Sequence, residues 1–199
     1  AGGAHTFDGL DMPLSAERLV RQIERELGAL RVEVAAGPNV VAKIHRPVDV
    51  LAYNEWPGTR VLPEILAAFV LPNHPVLESI LRQASDIMLR ATGEGSLSGY
   101  QTGSPDRAAA MAAAIYAACA NLDLAYISPP ASFESAGQKV RTPDQVLATR
   151  LGTCLDLTLL VAAALEQVGL HPLLLLPRGH ALVGVWLSEE LFPQATLDD

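Results

Sequence analysis

Apolar and polar positions along the chain alternate between two periods, and the periods predict the elements. Residues 15–29 carry Leu19, Val20, Ile23, Leu27 and Leu30 at helical spacing, opposite Glu17, Arg21, Glu24 and Arg25, with Ser15 as N-cap and Gly28 at the end. The period then drops to two. Leu30, Val32 and Val34 alternate with Arg31 and Glu33, Gly37-Pro38-Asn39 signals a turn, and 40–44 and 48–53 read as strand interrupted at Pro47. Residues 30–53 therefore predict a small antiparallel β-unit. After Trp56-Pro57-Gly58 the pattern turns helical from Leu62, with a break at Asn73-His74-Pro75 and a second helix to Ala91. Ser104-Pro105 opens an Ala-rich helix ending near Asn121, and 126–137 reads as a Pro- and Ser-containing loop. Thr142-Pro143 opens a short helix ended by Gly152, a strongly apolar helix runs over 154–168, and 173–176 and 181–187 read as buried strands.

Composition narrows the function classes. Half of the 199 residues are hydrophobic and 18% are charged, which predicts a filled core and excludes a disordered chain. The net charge is -8, and no local cluster of Lys and Arg offsets it, so a phosphate-binding face for nucleic acid is not expected. The longest apolar run, Ala108–Ala120, is too short and too Ala-rich to span a bilayer, so no membrane association is expected. Ala1–His5 lacks the basic and apolar regions of a signal peptide. Two cysteines, Cys119 and Cys154, are too few for a secreted disulfide scaffold, so the expected setting is cytoplasmic with reduced thiols.

One segment carries chemistry. In Arg150-Leu151-Gly152-Thr153-Cys154-Leu155-Asp156 a cysteine opens a helix directly after a glycine. Free N–H groups and the positive helix end favour a thiolate, the reactive form of the side chain. Gly152 is expected to allow a sharp turn and the approach of a carbonyl, and the Cys154 N–H is a candidate oxyanion donor. Arg178-Gly179-His180-Ala181 follows 26 residues after the cysteine, at the start of a strand, and supplies an imidazole as general base and acid. Cys119, inside the Ala-rich helix, reads as core. Asp156 reads as a first-turn residue complementing the helix dipole. Gln138 and Gln101 are candidate auxiliary or oxyanion donors, and Trp186 is either beside the site or in the core. No metal and no cofactor are expected. The His and Cys residues show no zinc spacing, Gly93-Glu94-Gly95 lacks the Gly-Lys-Ser/Thr of a phosphate loop, and Ser96-Leu97-Ser98-Gly99 lacks a hydrolase elbow.

Gly152-Thr153-Cys154, the apolar segment ending at Val168-Gly169-Leu170, and Gly179-His180-Ala181 resemble the transglutaminase-like enzymes of the papain-like cysteine group. More specifically, from about Val50 the chain resembles a bacterial family found at the N-terminal end of large proteins with a superfamily I helicase region. The segments that carry this likeness are Leu51–Trp56, Ala67–Asn73, Gly99–Gln101, Gly137–Arg141, Gly152–Asp156 and Gly179–Leu187. The resemblance implies an α+β, papain-like core with a helical lead-in over 56–199. It also implies a β-rich segment over 1–55, the remnant of an immunoglobulin-like region. Cys154 would be the nucleophile and His180 the base. An acidic residue on the strand after His180 would orient the imidazole. Only Glu189, Glu190, Asp198 and Asp199 follow, in a polar tail, so the expectation is a domain that continues past Asp199 in a longer polypeptide.

Cysteine-dependent acyl transfer on a peptide or protein substrate is therefore the first functional reading, with peptidase, amidase and transglutaminase outcomes left open. The alternative is a non-catalytic module that binds a peptide, a protein or other domains of the longer polypeptide.

Overall fold

The computed structural model describes residues 6, 8, 9, 12 and 14–197. Helices and strands are mixed in an α+β arrangement, and the chain divides into two compact units, Ala1–Tyr53 and Asn54–Asp199.

In the first unit, Ser15 caps a single turn, α1 (Ala16–Leu19), its Oγ accepting from Arg18 N at 3.3 Å. The helix expected to reach residue 29 stops there. Glu26 onward is captured instead by a β-ladder, in which β1 (Glu26–Ala36) pairs antiparallel with β2 (Asn39–Val50). A short helix holds only when its apolar face is buried, and Ile23 and Leu27 are 67% and 78% exposed. The ladder gives residues 26–29 backbone partners without needing that burial. Gly28 accordingly lies within β1 rather than at a helix end. The strand also runs through Pro47, which stands opposite Ala29. Each strand of a two-stranded sheet is an edge, where a residue without an N–H is tolerated. Gly37, at φ +60°, and Pro38 form the two-residue turn. The second strand ends at Val50, before Tyr53, whose N–H turns away to donate to Gln22 O at 2.7 Å. Cross-strand partners share a face, which puts Leu30, Val32, Val34, Ala42, Ile44 and Val48 on one side. The other side carries Arg31, His45 and the Glu33–Lys43 ion pair at 3.1 Å.

The second unit is organised around one helix. It begins with β3 (Glu55–Trp56) and a 3-10 segment (Pro63–Phe69), followed by α2 (Leu77–Thr92) and α3 (Pro105–Ala120). Ser104 Oγ accepts from Arg107 N, Pro105 occupies the first position of α3, and Gly93 closes α2 in the left-handed region. After β4 (Ala125–Tyr126) come a one-turn α4 (Phe133–Ala136) and β5 (Gln138–Lys139), so the expected loop is more structured than its composition suggests. Then follow α5 (Pro143–Thr149), β6 (Leu151–Gly152), α6 (Cys154–Gln167), and the hairpin of β7 (Pro172–Leu175) with β8 (Leu182–Val185).

Helix α6 is apolar around most of its circumference, as a helix buried on nearly all sides must be. Leu160, Ala163 and Ala164 join α2 and α3 in one cluster with Ile80, Met111 and Ile115. Cys154, Leu155 and Leu159 join a second cluster with Trp56, Leu66, Phe133, Val140 and Ala181. Among the described residues the sheets are each two-stranded: β1–β2, β3–β5, β4–β6 and β7–β8. Among the described residues no helix is long and apolar enough to cross a membrane.

Candidate functional site

The N-terminus of α6 is fixed by a reciprocal cap. Thr153 is the N-cap, and its Oγ1 accepts from Asp156 N at 3.3 Å while Asp156 Oδ2 accepts from Thr153 N at 2.9 Å. The Asp156 carboxylate is 1% exposed and also accepts from Arg141 N at 2.8 Å and Arg141 Nη1 at 2.9 Å. Asp156 is thus a structural anchor, and Arg141 is the partner that the sequence pattern did not reveal. The cap places Cys154 at the first position of α6, where helix geometry leaves its N–H without an intrahelical acceptor. Cys154 is 4% exposed.

Gly152 has a different task from the one expected. The sharp backbone turn falls at Arg150, which ends α5 at φ +51° and donates from Nη1 to Leu122 O at 2.8 Å. Gly152 lies in β6, and a Cβ there would come within 2.9 Å of Leu157 Cδ2, so the glycine makes room for packing against α6.

Gln138 is tied to Thr153, the residue before the cysteine. It is 6% exposed, and its Nε2 donates to Thr153 Oγ1 at 3.0 Å, while its Oε1 has no hydrogen-bond partner. Strand β5 holds it there by pairing Gln138 with Trp56 of β3, and Asn54 and Val140 extend the pairing through two 2.7 Å bonds. Trp56 Nε1 is likewise buried without a partner.

Tyr126 is the neighbour that the sequence reading missed. Strand β4 runs parallel to β6, with Tyr126 in register with Gly152 and Ile127 N donating to Gly152 O at 2.9 Å. The phenol is held above the usual tyrosine range, first by desolvation and then by the influence of Cys154. The short apolar and aromatic run Leu124–Ile127, just before Pro129-Pro130, was the available signal for β4.

His180 is exposed and lies in the turn before β8 rather than in the strand, with its N–H donating to Pro177 O at 3.0 Å and Gly179 at φ +74°. This turn is the tip of the β7–β8 hairpin. Leu174, Leu176 and Ala181, next to His180, pack in the cluster that holds Cys154.

Other expected residues lie elsewhere. Gln101 lines a surface cleft with Gly99, Val168 and Gly169, beyond the C-terminal end of α6, and the helix separates it from Cys154 by about 20 Å. It is not an oxyanion donor to Cys154. Glu189 lines the same cleft, and Glu190 O accepts from His171 Nδ1 at 2.7 Å, just before β7. Both residues therefore sit at the base of the hairpin, a strand length of roughly 13 Å from its tip and from His180. Trp186 is also at the base, edge-on to Phe192 at 5.3 Å, and not beside the cysteine. Asp198 and Asp199 lie outside the described residues. Cys119 is core: 8% exposed, with its thiol pushed up to about 12 by burial. Among the described residues no three His, Cys, Asp or Glu side chains gather as a metal centre needs.

No protein-family model, curated protein or solved structure matches this chain.

Proposed function

We propose that the second unit is a transglutaminase-like, papain-like cysteine domain that performs acyl transfer through Cys154 and His180. The observation that carries this reading is the seat of Cys154 at the first position of α6, with the buried Gln138 amide tied to the capping Thr153. The Cys154 thiol passes its proton to His180 as its sulfur attacks an amide carbonyl carbon, and the carbonyl electron pair moves to oxygen. The oxyanion takes hydrogen bonds from the Cys154 N–H and from the Gln138 N–H not engaged with Thr153. Collapse breaks the C–N bond, His180 protonates the departing amine, and a thioester remains. Water or a second amine, deprotonated by His180, then resolves the thioester. The substrate is a peptide or protein, the setting is cytoplasmic, and the domain serves a larger helicase-related protein. The hairpin of the first unit belongs to its immunoglobulin-like region.

A second reading, a non-catalytic interaction module, is favoured by one observation. Glu189 and Glu190 sit away from the hairpin tip, so neither supplies the carboxylate that would orient His180.

Alkylation separates the two. The rate at Cys154 is measured against pH in the wild type and in His180→Ala, with Cys119 labelling as the check for unfolding. Acyl-transfer chemistry predicts that removing His180 slows labelling by about tenfold. A rate that His180→Ala leaves unchanged overturns the acyl-transfer reading and leaves the interaction module.

A further inference from the structure

Among the described residues β1 and β2 pair only with each other, and every residue of β1 except Gly28 is exposed. A two-stranded sheet is marginally stable in water, and each unpaired edge is a row of N–H and C=O groups that can take a further strand. The two edges are not alike. β2 carries the features that discourage pairing: Pro47 supplies no N–H, and the register shift at Val34/Ala35 leaves Val41 as an extra residue in that strand. β1 runs from Glu26 to Ala36 with neither a proline nor an extra residue.

The order of residues in β1 selects one partner, a second β1. Ala29-Leu30-Arg31-Val32-Glu33-Val34-Ala35 is apolar and symmetric about Val32, except that the two charges flanking Val32 are of opposite sign. Antiparallel pairing of two such strands about Val32 sets Arg31 of each copy opposite Glu33 of the other on one face, and Leu30 opposite Val34 on the other face. A slip of one residue sets apolar positions against charged ones. A slip of two sets Arg31 against Arg31, or Glu33 against Glu33. Glu33 also pairs with Lys43 at 3.1 Å, so Arg31 of the second copy extends a row of alternating charge. Residues 26–50 hold three acidic and three basic side chains, so two hairpins meet without the repulsion that a chain of net charge -8 otherwise brings. The apolar face is a poorer seat than the edge. Arg46 stands opposite Leu30 on it, and stacking two such faces would bury both guanidinium groups.

We propose that the open edge of β1 is a self-association surface: it takes β1 of a second copy, in antiparallel register about Val32, to form a four-stranded sheet. The pairing covers the flanks of Leu30, Val32 and Val34, now 36–38% exposed, and satisfies the edge backbone of both copies. It does not depend on the chemistry at Cys154.

Two measurements on the full chain test it. In the first, sedimentation equilibrium follows mass against concentration. The wild type should climb from 21.1 kDa toward twice that mass. Arg31→Glu and Glu33→Arg, each alone, should weaken the dimer by about tenfold, because both reciprocal ion pairs become repulsive. The double reversal Arg31→Glu/Glu33→Arg should recover most of that loss, since opposite charges again face each other. In the second measurement, Val32→Cys and Ile44→Cys are oxidised under mild conditions and the linkage is located by peptide mapping. Val32 stands opposite its own copy and should crosslink. Ile44, on the same face but in β2 and 48% exposed, should not. If the charge reversals unfold the hairpin, the crosslinking pair decides alone. A mass that stays at 21.1 kDa at every concentration overturns the proposal. So does equal crosslinking of both variants, which marks stacked faces instead of paired edges. A folded double reversal that associates no better than the single ones overturns the register about Val32.

Discussion

Replacing Asp156 with Ala should destabilise the chain by about 3 kcal/mol, toward the loss seen when one partner of a buried ion pair is removed. The carboxylate is 1% exposed and accepts from Thr153 N, Arg141 N and Arg141 Nη1. Alanine leaves two backbone N–H groups without acceptors, each at a cost of about 1–3 kcal/mol. The guanidinium adds less, because the Arg141 side chain is 37% exposed and can turn to water. Asp156→Asn keeps the shape and one acceptor but loses the charge, so it should fall between wild type and alanine. Urea melts of the three proteins at pH 7 measure this directly. A loss under about 1 kcal/mol in Asp156→Ala would mean that the cap and the Arg141 bridge contribute little. The effect reaches the candidate site because Cys154 lies between Thr153 and Asp156. Fraying the first turn releases the sulfur from its position, and it should label faster in Asp156→Ala even where the chain remains folded.

The elements that could be read from the sequence are those whose signals are local. Ser104-Pro105 and Thr142-Pro143 start helices, Gly93 and Gly169 stop them, and the apolar run after Cys154 becomes the central helix. The same logic failed at 15–29, because Leu19, Val20, Ile23 and Leu27 satisfy a helical period while the partner that makes 26–29 a strand lies 20 or so residues downstream. Strand pairs of two residues, β3–β5 and β4–β6, have no period to show. They exist because distant backbone groups meet, and they set Gln138 opposite Trp56 and Tyr126 opposite Gly152, two residues before Cys154. The cysteine at a helix start was legible from Gly152-Thr153-Cys154, and Gln138 was a weaker candidate from its distance along the chain. Gln101 was equally plausible by residue type, and only the length of α6 separates it from the site. Arg141 had no motif to mark it: it answers a buried carboxylate, and that fact is three-dimensional.

Alkali should destabilise the chain through Cys119. Its thiol is raised from 9.0 to about 12 by burial against the Ala-rich α3 and its neighbours. A raised folded value means that the native state keeps the proton after the unfolded chain has released it. The contribution is therefore complete below pH 9 and is lost as pH rises from 9 toward 12, at about 1.4 kcal/mol per pH unit. By pH 10.5 this one thiol should remove about 2 kcal/mol, and about 4 kcal/mol across the whole interval. Tyr126 shifts in the same direction, but more than half of it is exposed, so its share is small beside that of Cys119. Cys119→Ala isolates the buried thiol. It should lower stability at pH 7 by roughly 1 kcal/mol for the lost packing, yet fall less steeply above pH 9, so that the two urea-midpoint curves converge and cross before pH 10.5. Parallel curves would mean that the interior around Cys119 admits the thiolate and water together. That would also remove Cys119 as the protected reference against which labelling of Cys154 is judged.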